Sequence, residues 1–427
     1  MNKMHEHDAR PVIAAFGEWD TANLGDRAIH RAIERFYADA GWRVHAYNLG
    51  SLRGSDTAPT PTGSVPGTPR RTLGSRLLVP PLKRMLRGVR QDLRMRALMP
   101  ALATADAIAV GGGALLSDAN LHFPQSLSVL TAAARKLDKP LICLGCSAEG
   151  EWSREGAARV TAFLRACRVV AVRDESTARR VSAVLGRAIP VFGDFCLSAP
   201  GTPEPARPGS GVMALNVCKI ASAWSGEQTR YEDALVDLAR AWAVRENGAA
   251  RAVTLFTTGT ADDVEPLLRV HARLEGVTTQ LVLPDRLTAL ERVFEAADIV
   301  IASRLHGAIL AMAAGAPVIG VSPAPKLMQF FRTMGIADYC CDPEEGVRLS
   351  GLLDHGPRAI LADQRRAIER AAVWPVRHEV WDELRAHAGG SAQSGDGHAA
   401  NPTARQNWEA GNAALTIERG PQNEQSI

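Results

Sequence analysis

The sequence predicts an α/β protein of two doubly wound domains facing each other across a cleft. Three observations predict this. Short apolar, β-branched runs recur along the chain, among them Val12-Ile-Ala-Ala-Phe16, Asp106-Ala-Ile-Ala-Val110 and Asp298-Ile-Val-Ile-Ala302. Such runs suit parallel strands buried on both faces. Stretches of helical period lie between them. The run Ala199–Ser210, with four prolines and two glycines, splits the alternation in two. A chain of 427 residues is long enough for two Rossmann-like domains.

The first domain is expected over 1–198. Strand Val12–Phe16 leads into a loop rich in Asn, Asp and Gly, Gly17–Gly25 with Asp26, and then an amphipathic helix from Ala28 to Ala40. A second strand runs from Arg43 to Leu49. The region 50–99 reads as a flexible, basic insertion: Gly50–Thr68 is Ser, Thr, Pro and Gly-rich, and nine basic residues face one acid between Arg70 and Arg96. That basic stretch either lies on an anionic membrane surface or packs as a solvated helix on its own domain. Strand Asp106–Val110 runs straight into Gly111-Gly112-Gly113, where the backbone can approach a ligand closely. The spacing is not the dinucleotide fingerprint. Strands Leu141–Gly145 and Val169–Val172 follow, the latter ending in Arg173-Asp174-Glu175-Ser176, with Asp174 or Ser176 able to cap the next helix. Pro190–Asp194 closes the half.

Residues 199–210 are the linker and 211–358 the second domain. Its strands are expected at Val212–Asn216, Ala252–Phe256, Gln280–Leu283, Asp298–Ala302 and Val318–Val321. Helices are expected near 229–246, 261–274, 287–296, 307–314 and 326–334. C-terminal helices are expected over 359–388, broken at Trp374-Pro375, and a disordered tail over 389–427.

Composition narrows the function. A net charge of +3 gives no argument for nucleic acid. No run reaches the roughly 18 apolar residues of a membrane span, and the N-terminus has no apolar export signal. The expected location is the cytoplasm, or the inner face of a membrane reached through 70–96. Seven cysteines do not form a disulfide framework; Cys143 and Cys146 fall in an apolar run and read as core. No Asp/His/Cys cluster has metal-ligand spacing, so neither metal nor cofactor is expected.

The most informative stretch is Ser303-Arg304-Leu305-His306-Gly307. It lies where a strand's carboxyl end meets a helix amino end, which is where open α/β sheets bind anions. Arg173 occupies a second such junction.

Taken in order, Asn23-Leu-Gly-Asp26, Gly111–Gly113, Arg173–Ser176, Asp194, Ser303–Gly307 and Ala313-Ala-Gly-Ala-Pro317 resemble the polysaccharide pyruvyl transferase family across about residues 12–335. The chain departs from the family pattern at Cys146–Gly150 and in the insertion. The resemblance implies a GT-B-like fold, phosphoenolpyruvate as donor substrate and, as acceptor, a sugar on a polysaccharide or lipid-linked precursor. It makes His306 the general acid, and Arg304, catalytic with it, is expected to clamp the donor across the cleft together with Arg173. Arg173, Ser303, Gly307 and Lys326 would bind the donor, whose carboxylate and phosphate suit guanidinium forks. Asn23, Gly25, Asp26, Gly111, Gly112, Gly113, Asp174 and Asp194 would line the cleft and acceptor site. The competing readings are a GT-B glycosyltransferase using a nucleotide sugar, with Asp285 or Glu291 toward ribose, and a sugar-binding protein without catalysis.

Overall fold

Every side chain of Val12–Gly17 is buried, so this run forms a central strand, β1, of a parallel sheet. The computed structural model describes residues 10–54, 93, 95–118, 121–197, 209–220, 225–244, 251–322, 324–345 and 351–371. Most of the expected insertion, the linker up to residue 208 and the tail lie outside them. The first sheet adds β2 (Arg43–Asn48), β3 (Arg53–Gly54), β4 (Ala107–Gly111), β5 (Leu141–Cys146) and β6 (Val169–Val172), in the order β3-β2-β1-β4-β5-β6. All pairings are parallel except β2 with β3.

The second sheet contains β7 (Val212–Asn216), β8 (Ala252–Phe256), β9 (Thr278–Val282), β10 (Ile299–Ala302), β11 (Val318–Val321) and β12 (Cys340–Cys341). Its order, β12-β11-β10-β7-β8-β9, repeats the first sheet's pattern. In each sheet the chain starts in the middle, winds to one edge, then returns to wind toward the other. The switch points, between β1 and β4 and between β10 and β7, leave crevices at the strands' carboxyl ends.

Several boundaries differ from expectation. The first helix is Leu24–Asp39, because Asn23 caps it by accepting from Gly25 N, and its buried face is Leu24, Ala28, Ile29, Ile33 and Tyr37. The helix expected at 307–314 begins at Leu305, Arg304 being the last extended residue. The helix expected near 261–274 divides into a 3-10 turn, Ala261–Asp263, and a helix Val264–Ala272. One apolar cluster runs from Ile13 and Ala109 through Leu24, Ile29 and Phe195 to Met312 and Phe331, so the two sheets share a continuous core. No helix among the described residues is long and apolar enough to cross a membrane.

Candidate active site

The turn after β10 is held by its neighbour β7. Asn216, buried at the end of β7, accepts from Ser303 N (3.3 Å) and Arg304 N (2.9 Å) through Oδ1, and its Nδ2 donates to Phe256 O (3.2 Å). A Cβ on residue 307 would sit 2.8 Å from that Oδ1, so glycine is needed there to keep the bracket closed. Ser303 lies against Tyr231. The Arg304 guanidinium turns to Asp263, with Nε 3.0 Å from Oδ2 and Nη2 2.5 Å from Oδ1. Asp263 is fully buried and also accepts from Lys219 N at 2.8 Å. Burial works against the charge on Arg304, but Asp263 outweighs it and the guanidinium is held firmly protonated.

His306 occupies the first turn of Leu305–Ala313 and packs over the start of Leu24–Asp39. A Cβ on residue 25 would lie 2.3 Å from His306 Nδ1. Gly25 therefore makes room for the imidazole, which joins the two domains at this point. Its Nε2 is sealed from solvent and has no hydrogen-bond partner. Burial first, then the charges of Arg173 and Lys326, push the imidazole down to about 4 against the opposing pull of Asp194 and Glu149. At neutral pH it is uncharged.

The surrounding charges come from four strand ends. Arg173, buried just past β6, reaches Glu149 Oε1 (3.5 Å) and Asp174 Oδ2 (3.7 Å). Lys326, in the first turn of Pro325–Thr333, donates to the same Glu149 from the other domain. Burial raises the Glu149 carboxyl, but Lys326 and Arg173 more than reverse this and hold it below its ordinary value. Asp26 accepts from Asn23 Nδ2 at 3.0 Å and is pushed upward, by burial first, although Lys326 and Arg173 pull against it. Asp194 accepts from Cys196 N at 3.0 Å. Asp174 caps Glu175–Leu185 by accepting from Thr177 N at 2.8 Å.

The structure thus gathers Gly25, Asp26, Arg173, Asp194 and Lys326 around His306. Of the three glycines, Gly113, at φ +63°, would meet nothing within 4 Å with a Cβ, while Gly111 and Gly112 have a packing role. Gly112, at φ +70°, would bring a Cβ to 2.1 Å from Ile29 Cγ2, and Gly111 lies under Phe195 and Leu144 O. They let Leu24–Asp39 settle on the sheet. Sequence reasoning did not single out Asn216, Asp263 or Glu149. Each is a polar residue at or shortly after the end of an apolar strand, the same signal that marks Asp194. All seven cysteines are buried thiols outside any disulfide. Among the described residues no group of three or more His, Cys, Asp or Glu could hold a metal ion.

The fold has solved counterparts. Anabaena HepE in complex with UDP-glucose superposes with a TM-score of 0.51 at 13% identity, covering 88% of this chain and 99% of that one. UDP-GlcNAc 2-epimerase from Neisseria meningitidis bound to UDP-GlcNAc gives 0.50 at 10% identity, over 88% and 99%. At these identities the likeness is one of fold, two Rossmann-like domains in the GT-B manner. No curated protein matches the chain. The profile for "Polysaccharide pyruvyl transferase" matches residues 23–325, from the cap beside Gly25 to the start of the helix that bears Lys326, and with that span the chain belongs to the polysaccharide pyruvyl transferase family.

Proposed function

We propose that this protein transfers the pyruvyl group of phosphoenolpyruvate to a sugar of a polysaccharide or its lipid-linked precursor, forming a pyruvate ketal. The observation that carries the reading is His306 Nε2, sealed and unbonded, under the charges of two cations that arrive from different domains, Arg173 and Lys326. Those cations are bridged by one carboxylate, Glu149. A donor with a carboxylate and a phosphate would take over that bridging.

The chemistry asks two things of the site: a proton for the donor's methylene carbon, and a carbon beside it open to a hydroxyl. His306 is the proton source. Without donor, burial holds its pKa at about 4, so it is neutral near pH 7, and raising that pKa to about 7 requires roughly 4 kcal/mol of added stabilisation of the imidazolium. One donor charge at about 4.5 Å supplies close to that at an effective dielectric near 20. Neutralising Arg173 and Lys326 removes two opposing charges as well. The donor therefore charges its own acid. Arg304, committed to Asp263, acts in this scheme by fixing the turn that aims His306.

The carboxylates that a nucleotide-sugar reading would give to ribose form only exposed surface ion pairs among the described residues. Glu291 pairs with Arg31 at 3.4 Å, and Asp285 with Arg286 at 3.4 Å. The test is thermal melting with phosphoenolpyruvate, UDP and GDP, joined to NMR titration of His306. The expected result is stabilisation by phosphoenolpyruvate alone, with the His306 pKa rising on its addition. Stabilisation by a nucleoside diphosphate in its place, or a His306 pKa that ignores the donor, overturns the reading.

A further inference from the structure

A second group of polar side chains stands at the other switch point, between β1 and β4. Glu18 follows β1 directly, Asn48 ends β2, and His122 opens the helix His122–Lys136 that follows β4. They converge over Gly50. The Cβ that residue 50 lacks would lie 2.8 Å from Glu18 Oε1, 2.8 Å from His122 Nε2 and 3.3 Å from Asn48 Oδ1. Gly50 N donates to Glu18 Oε1 at 3.0 Å. Trp19 is next in the chain, its ring 5.8 Å from that of His30 and its Nε1 sealed without a partner. His30 is itself only 7% exposed, and neither of its nitrogens makes a hydrogen bond, Glu34 being 3.5 Å away. Gln125, in the first turn of the His122 helix, also has a sealed Oε1 with no partner.

None of these groups serves the donor site, yet the two are coupled by charge. Asp26 lies close enough to act on Glu18, and it also feels Lys326, Glu149 and Arg173. Asp26 thereby links this group electrostatically to the cations around His306. A Trp ring with an imidazole against it, next in the chain to a carboxylate that meets an amide and a second imidazole over Gly50, offers a sugar an apolar face for stacking and polar partners for its hydroxyls.

We propose that this crevice is the acceptor subsite, that it takes a hexopyranoside against Trp19, and that Glu18 is the catalytic base for the attacking hydroxyl. The inference rests on the pyruvyl-transfer reading. As the hydroxyl oxygen bonds to the carbon bearing the donor's phosphate oxygen, its proton passes to Glu18, while His306 protonates the methylene. The double bond becomes a C–H bond. The bond to phosphate then breaks, phosphate leaving with the electron pair, and a second hydroxyl closes the ketal. Of the two hydroxyl protons lost, one balances the new methyl C–H and the other ends on phosphate. Glu18 is suited to this traffic. Burial first, then Asp26 and Asp20, lift it to about 7 despite the hydrogen bond from Gly50, where a base can both accept and release a proton near neutrality. The titratable groups facing it are Asp20 and Asp26 on its own side and His122 opposite.

The test measures phosphate release from phosphoenolpyruvate with methyl glucoside, galactoside and mannoside as probes, beside thermal melting with phosphoenolpyruvate. Glu18→Gln keeps the oxygen that accepts from Gly50, so the loop tie survives. The expected result is that one glycoside stimulates the wild type. Glu18→Gln then loses roughly 100-fold or more of that rate while phosphoenolpyruvate still stabilises it as in the wild type. Trp19→Ala is expected to raise the glycoside KM about tenfold with a smaller effect on kcat. Gly50→Ala, which crowds Glu18 and His122 apart, is expected to follow Glu18→Gln. Wild-type kcat in Glu18→Gln, even with a lowered melting temperature, overturns the base. An unchanged KM in Trp19→Ala, or no stimulation by any of the three glycosides in a protein that phosphoenolpyruvate stabilises, overturns the subsite. Failure of phosphoenolpyruvate to stabilise the wild type is a distinct result, which removes the pyruvyl reading and this subsite with it.

Discussion

Arg304 and His306 are two residues apart, yet they do different kinds of work. His306 is aimed across the domain boundary at Gly25, while Arg304 faces back into its own domain and neutralises Asp263. Removing Arg304 would leave a fully buried carboxylate whose remaining charge-stabilising contact is the Lys219 amide. Breaking a fully buried pair typically costs about 3–5 kcal/mol. Because the Arg304 side chain is 37% exposed, Arg304→Ala is expected to lose somewhat less, about 2–4 kcal/mol, in urea unfolding. The double variant Arg304→Ala with Asp263→Asn should recover part of that. A stable Arg304→Ala that binds donor poorly would instead make Arg304 a donor ligand. The motif itself was legible in the sequence, because a basic residue and a His at a strand exit are unusual. The division of labour was not. It depends on Asp263, forty-one positions away, and no local pattern says which arginine a buried aspartate will take.

At the scale of elements, what matters is which strand ends meet. β1, β4, β5 and β10 are buried along their whole length, so an unbroken apolar run was enough to find them. β9 is an edge strand with mostly exposed or half-exposed side chains, and its expected start fell two residues late for want of that signal. The loop after β5 and the start of Pro325–Thr333 could not be paired from sequence, and their meeting makes the Lys326–Glu149 bridge. Glu149 stands where an anionic donor would compete for the same cations. Glu149→Gln is therefore expected to tighten phosphoenolpyruvate several-fold by calorimetric titration, and Lys326→Ala to weaken it about tenfold, the effect of one lost charge-assisted hydrogen bond. Equal affinities in all three proteins would place the donor elsewhere.

For the whole molecule, the alternation of strands and helices, and the proline-rich break between its halves, made two Rossmann-like units legible. How tightly they are joined was not, since the joining groups are backbone atoms and small residues. Leu24 N donates to Thr258 O at 2.9 Å, and Arg27 reaches Asp285 O at 2.9 Å. Gly259, at φ +88°, leaves no room for a Cβ beside Ala22 O. With a core continuous through this joint, unfolding is expected to be one cooperative heat-absorption peak in scanning calorimetry. Two resolved peaks would show that the halves are independent. The Leu24–Thr258 bond also sets an order on synthesis. The segment that frames His306 from below leaves the ribosome more than two hundred residues before the strand-end loop it rests on. At about 5–20 residues per second, that is a wait of at least roughly ten seconds. Through that interval the nascent first half carries Leu24 without the Thr258–Gly259 turn that meets it, so the joint between the domains cannot close until well into the second half's synthesis.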